Sequence, residues 1–109
     1  MEEANKLKRR KDFSKTYKRG KSLPAQSVVL CYRKNSTADF RVGFTVSKKV
    51  GNAVVRNKVR RRMKEVARLH SDRFPAGYDC IFVARRSADK RSYDQVKKEM
   101  LFLLSRISS

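Results

Sequence analysis

FRVGFTVSKKVGNAVVRNKVRRRMKEVARLHSDRFPAGYDCIFVA, residues Phe40–Ala84, decides the fold. Its opening, Phe40–Val46, alternates: Phe40, Val42, Phe44 and Val46 share one side, the pattern of a strand with one buried face. Gly51-Asn52 breaks that period. From Ala53 to Leu69 the period is helical, with Val55, Val59, Met63, Val66 and, at its end, His70 as the apolar stripe. RFPAG (Arg73–Gly77) is loop chemistry. YDCIFVA (Tyr78–Ala84) is apolar enough to be a central strand.

Upstream, SVVLCY (Ser27–Tyr32) is β-branched and apolar and predicts another strand, with a turn at Lys34–Asp39. Pro24 is punctuation before it. A short helix is predicted over Phe13–Arg19, capped by Asp12 and ended by Gly20. Phe13 and Tyr17 lie four apart and share a face. The segment Lys6–Lys11 before it is a basic run. Downstream, Ser92 and Gln95 match a capping box and start a last helix with Val96, Met100, Leu103, Leu104 and Ile107 on its apolar face. The order helix, strand, strand, helix, strand, helix predicts an α+β fold: a small α-β sandwich with one mainly antiparallel sheet packed with helices. A further strand near Lys48 is not placed by these signals. Residues 1–109 read as a single RNA-binding domain without repeats or linkers.

The charge points to the partner. The chain has 29 Lys+Arg against 10 Asp+Glu, a net of +19. So much like charge repels itself, and nucleic-acid phosphate is the commonest large counter-charge. No run approaches the roughly 20 apolar residues of a membrane span, and the polar N-terminus does not read as a signal peptide. A cytoplasmic location with reduced thiols is expected, Cys31 and Cys80 being buried inside apolar runs. Two Cys and the single His70 fall short of a zinc site.

Ser47–Arg68 carries nine Lys or Arg and one acid, Glu65. On the helix Arg56, Asn57, Lys58, Arg60, Arg61, Lys64 and Arg68 accompany the apolar stripe. Most recur at spacings of three and four, as a basic ridge away from it. Lys48, Lys49 and Asn52 extend the set into the turn before the helix. Arg forks bind phosphate oxygens bidentately, Lys supplies a compact charge, and the Asn57 amide can meet a base edge or a 2′-hydroxyl. Catalysis by the protein itself is not expected. The acids are scattered, no D-x-D or E-x-x-H grouping suggests a metal site, one His cannot form an acid–base pair, and no Gly-rich phosphate loop is present. No helix-turn-helix pairing points to DNA.

GNAVVRNKVRR (Gly51–Arg61), preceded by TVSKK (Thr45–Lys49), strongly resembles the signature segment of the bacterial ribonuclease P protein family, an R-N-R-x-x-R-like run on a helix. KDFSKTYKRG (Lys11–Gly20), FRVGFTV (Phe40–Val46) and IFVAR (Ile81–Arg85) extend the resemblance over most of the chain in the same order. Lys58 stands where the family often has the second Arg of its triplet. Tyr17 stands where Phe is frequent, which keeps stacking and adds a hydroxyl. The resemblance implies an accessory subunit of a ribonucleoprotein endoribonuclease. The catalyst would be a large RNA that removes the 5′ leader of precursor tRNA, with Mg²⁺ held mainly by that RNA. The basic helix and the turn before it would bind the catalytic RNA, and a cleft would hold the leader. The implied fold is an α-β sandwich with a left-handed βαβ crossover. Phe13 and Tyr17 would form the floor of the cleft, a role that ordinary helix-to-sheet packing also fits. Cys31 or Tyr32 would line it too, and alternation leaves open which. A ribosomal or general RNA-binding protein without a role in cleavage is the alternative on composition alone.

Overall fold

The computed structural model describes residues 5–107. Among these the chain runs α1 (Arg10–Arg19), β1 (Lys21–Pro24), β2 (Val28–Lys34), β3 (Arg41–Thr45), α2 (Ala53–Leu69), β4 (Tyr78–Ala84) and α3 (Tyr93–Ser105). Short 3₁₀ turns lie at Ser71–Arg73 and Arg86–Lys90. The strands form an open sheet in the order β1-β2-β4-β3. β2 pairs antiparallel with both β1 and β4, whereas β3 runs parallel to β4 and reaches it through α2. The sheet is therefore mixed, and β4 is central, as its continuous apolar run predicts.

Register decides which side chains meet. Leu30, Phe82 and Phe44 form one cross-strand row, and Tyr32, Cys80 and Val42 the next. These rows face Val59, Met63 and Val66 of α2 and Val96, Met100, Leu103 and Leu104 of α3 in one buried core. Fully burying a side chain such as Phe82 or Met63 contributes about 1.5–3 kcal/mol. The intervening rows, Cys31–Ile81–Gly43 and Val29–Val83–Thr45, point to the opposite face, where α1 lies. Helix α1 thus covers one face of the sheet and α2 with α3 the other.

Polar ties hold the layers. Glu99 of α3 accepts from the Ser27 N–H and hydroxyl, both at 2.7 Å, and so pins α3 to the start of β2. Ser92 and Gln95 make both halves of the capping box. Asp79 is 2% exposed, and its carboxylate accepts a fork from Arg41 at 2.8 Å and 2.8 Å and a bond from Asn35 Nδ2 at 3.0 Å. The hydrogen bonds from Arg41 to Asp79 raise the Arg41 pKa.

Two local expectations are corrected, the start of α1 and the structure around Pro24, while Gly20 ends α1 as expected. Helix α1 starts at Arg10, not Phe13, and its N-cap is Arg9, which makes no side-chain cap bond. Asp12 sits inside the first turn, its carboxylate 3.5 Å from the Arg41 guanidinium. Gly20 ends the helix in extended backbone (φ −85°) rather than the left-handed form. Its reason is close approach, since a Cβ there would stand 2.4 Å from the Tyr32 carbonyl oxygen. Finally, Lys21–Pro24 is a strand. It escapes pattern reading because it is short and edge-placed, where Pro need not donate to a ladder. Ser47–Val50 is not a further strand but a turn, closed by Val50 N–H on Ser47 O at 3.1 Å.

Candidate nucleic-acid interface

A cleft of about 700 Å³ opens at the β3 edge of the sheet. Phe13, Leu7, Val42, Gly43 and Phe44 supply its apolar lining. Arg60, Arg61, Lys64, Glu65 and Arg68 of α2 supply a charged wall, with Lys6 and Lys8 from the N-terminal segment. That segment is held to β3 by the Leu7 N–H on Val42 O at 2.9 Å and by Asn5 Nδ2 on Phe40 O at 2.8 Å.

The aromatic side is built by packing. Phe13 is half-buried and lies over Gly43, where a Cβ would come within 2.5 Å of its ring. A glycine inside a strand often marks such a close approach. Tyr17, 45% exposed, sits 6.3 Å from Phe13 centroid to centroid, and its hydroxyl is 2.6 Å from Thr45 Oγ1. The hydroxyl that distinguishes Tyr from Phe therefore ties α1 to β3. Gly43→Ala should displace the Phe13 ring. The expected result is a loss of about 1–3 kcal/mol of stability from overpacking and weaker binding of single-stranded oligonucleotides. Thermal denaturation and oligonucleotide titration check both, and an unchanged affinity would refute the role of the ring.

The cationic side is set by the phase of α2. Asn52 caps the helix, its side-chain oxygen accepting from Val55 N–H at 3.0 Å, so its carbonyl oxygen is engaged in folding. Lys48 and Lys49 are exposed in the turn before it. Asn57 Oδ1 accepts from Arg60 at 3.1 Å, which orients the guanidinium. Arg68 pairs with Glu65 across one turn. This bond lowers the Glu65 pKa and raises that of Arg68.

Several expected site residues are placed elsewhere. Lys58 is on the other flank of α2, paired with Asp89 at 3.0 Å, beside Arg62, which donates to Arg91 O at 2.6 Å. Arg56 is half-buried, with its Nε enclosed and lacking a hydrogen-bond partner. Tyr32 is 7% exposed and packs against Tyr78 in the α2–α3 core, so it does not line the α1 face. Cys31 does face α1, and partial burial raises its thiol pKa. Burial pushes Cys80 up to about 12. Both thiols are thus neutral near pH 7 and act as packing groups. Lys6, Leu7, Lys8 and Gly43 are cleft residues that the sequence pattern did not assign. The glycine off the apolar face of its strand was the available signal.

An aromatic ring and a cluster of cations lining one cleft, on an α+β scaffold of net charge +19, fit an RNA-binding protein. The family model described as Ribonuclease P matches residues 1–108, and the chain belongs to that family. It is 39% identical over 108 residues to the ribonuclease P protein component of Alkaliphilus oremlandii (strain OhILAs), covering 99% of this chain and 95% of that one. It is 43% identical over 101 residues to that of Clostridioides difficile (strain 630), covering 92% and 89%. The RNase P protein from Thermotoga maritima superposes with a TM-score of 0.87 at 32% identity, covering 95% of this chain and 98% of that one. The Staphylococcus aureus RNase P protein gives 0.85 at 33%, covering 94% of each. Membership makes the chain part of an endoribonuclease with an RNA partner. Among the described residues no helix is long and apolar enough to cross a membrane.

Proposed function

We propose that this chain is the protein component of a cytoplasmic ribonuclease P that assists removal of the 5′ leader from precursor tRNA. The large RNA performs the cleavage, and the protein holds substrate and RNA together. The observation that carries the reading is the cleft at the β3 edge that Phe13 lines together with Arg60, Arg61, Lys64 and Arg68. An unpaired leader base stacks on the ring, while the guanidinium and ammonium groups take the flanking phosphates. Part of the α2 ridge therefore serves the leader, leaving Lys48, Lys49 and the exposed start of α2 for the catalytic RNA. Mg²⁺ belongs to the RNA in this reading. Among the described residues no three carboxylates, imidazoles or thiols converge into a cage for the ion.

Reconstitution tests the role: protein alone should leave precursor tRNA intact, and protein with its cognate RNA should release the leader. Phe13→Ala should weaken binding of leader-bearing tRNA about tenfold or more, from roughly 1–3 kcal/mol per stacked base, and spare mature tRNA. Equal losses for both ligands would refute the leader assignment.

A further inference from the structure

The cleft does not use the cations of α1. Arg10, Lys11, Lys15, Lys18 and Arg19 are exposed along a shallow groove that also includes Ser14, and of these Lys11, Lys15 and Lys18 lie on the side of the helix away from Phe13. Among the described residues none of the five has an ion pair. The acid of this helix, Asp12, is turned to Arg41 instead.

This arrangement works against the helix. Lys11–Lys15 and Lys15–Arg19 are like charges one turn apart, which destabilise a helix. Lys18 and Arg19 complement the dipole at the C-terminal end, but Arg10 and Lys11 stand in the first turn, where cations are disfavoured. A row of cations kept at this cost fits an external polyanion. From Lys11 to Lys18 the row covers about 10 Å of helix, the reach of two or three phosphates along a strand. Its chemistry favours RNA over an anionic bilayer, because the face presents no apolar side chain to bury in a membrane interface. It also presents no aromatic ring, so nothing on it reads bases.

We propose that the outer face of α1 is a second RNA-binding surface, which takes backbone phosphates of an RNA segment other than the strand in the cleft. It lies on the far side of α1 from Phe13, so one bound strand cannot fill both. The proposal rests on the RNA-binding reading above and adds a second contact to it.

The test is Lys11→Gln, Lys15→Gln and Lys18→Gln combined in the full chain. Binding is measured across a salt series to two RNA probes, the ribonuclease P RNA from the same genome and a short single-stranded oligonucleotide, and separately to phosphatidylserine vesicles. The expected result is a log–log salt slope for the large RNA reduced by about 2, at roughly 0.7–0.9 per phosphate contact, with affinity at low salt down at least tenfold. The oligonucleotide, held in the cleft, should be unaffected. An unchanged slope for the large RNA overturns the proposal while leaving the cleft reading intact. Equal reductions for both probes overturn it in favour of a general long-range field. Loss of binding to phosphatidylserine vesicles with RNA binding unchanged overturns it in favour of a membrane. A wild-type chain that binds neither RNA probe overturns both readings.

Discussion

Raising salt from 50 to 200 mM should weaken binding of this protein to the complex of its RNA with precursor tRNA at least a thousandfold. Lys48, Lys49, Arg61, Lys64 and Arg68 are exposed, and Arg60 lines the cleft beside them. Each phosphate neutralised by such a group releases counterions and contributes roughly 0.7–0.9 to the slope of log affinity against log salt. About six contacts give a slope near 5, and a fourfold change in salt then costs on the order of 10³ in affinity. The structure also names the control. Arg61→Ala with Lys64→Ala should lower the slope by about 1.5, whereas Lys58→Ala should leave it nearly unchanged, because Lys58 is paired with Asp89 on the other flank of α2. Titration at several salt concentrations reads all three. A slope near zero sinks the electrostatic account, and a Lys58 effect as large as that of Arg61 sinks the assignment of faces.

Arg41→Ala should be the most destabilising single change near the cleft. It strands Asp79, 2% exposed, with only Asn35 as a side-chain donor. Breaking a buried pair in this way costs about 3–5 kcal/mol. For a chain of this size that lowers the melting temperature by roughly 12–40 °C, at about 4–8 °C per kcal/mol. The effect reaches the site, because Arg41 also approaches Asp12 in the turn that carries Phe13. Oligonucleotide affinity should fall with stability. Replacing both partners, Arg41→Met with Asp79→Leu, removes the stranded charge and should recover much of the loss. A single variant that melts within about 5 °C of wild type would show that the pair contributes little.

Much of the architecture was legible because local signals and tertiary packing agree. The bounds of α2 follow from the Gly51-Asn52 break and the helical period after it, those of β4 from its continuous apolar run, and the Ser92 and Gln95 pair announces α3. The basic ridge of α2 and the Phe13–Tyr17 face were legible for the same reason: spacing of three and four on a helix fixes which side chains are neighbours. What was not legible depends on partners distant in sequence. β1 has a pattern only when β2 is beside it. Asp12 reads as a cap until Arg41, far along the chain, claims its carboxylate.

By itself the sequence determined a basic α+β domain, its polyanionic partner and the residues of its signature helix, since composition and short-range periodicity are local properties. Tertiary structure alone decided how they combine. Strand register put Cys31 on the α1 face and Tyr32 in the opposite core, because a one-residue step reverses the side of a sheet on which a side chain lies. Helix phase against the neighbouring layer gave Lys58 to Asp89 and kept Arg60, Arg61, Lys64 and Arg68 for the cleft. The absence of a side chain at Gly43 let Phe13 lie against β3 and so brought an aromatic ring and a cationic wall to one opening. Such meetings depend on through-space distances, and no spacing along the chain encodes them.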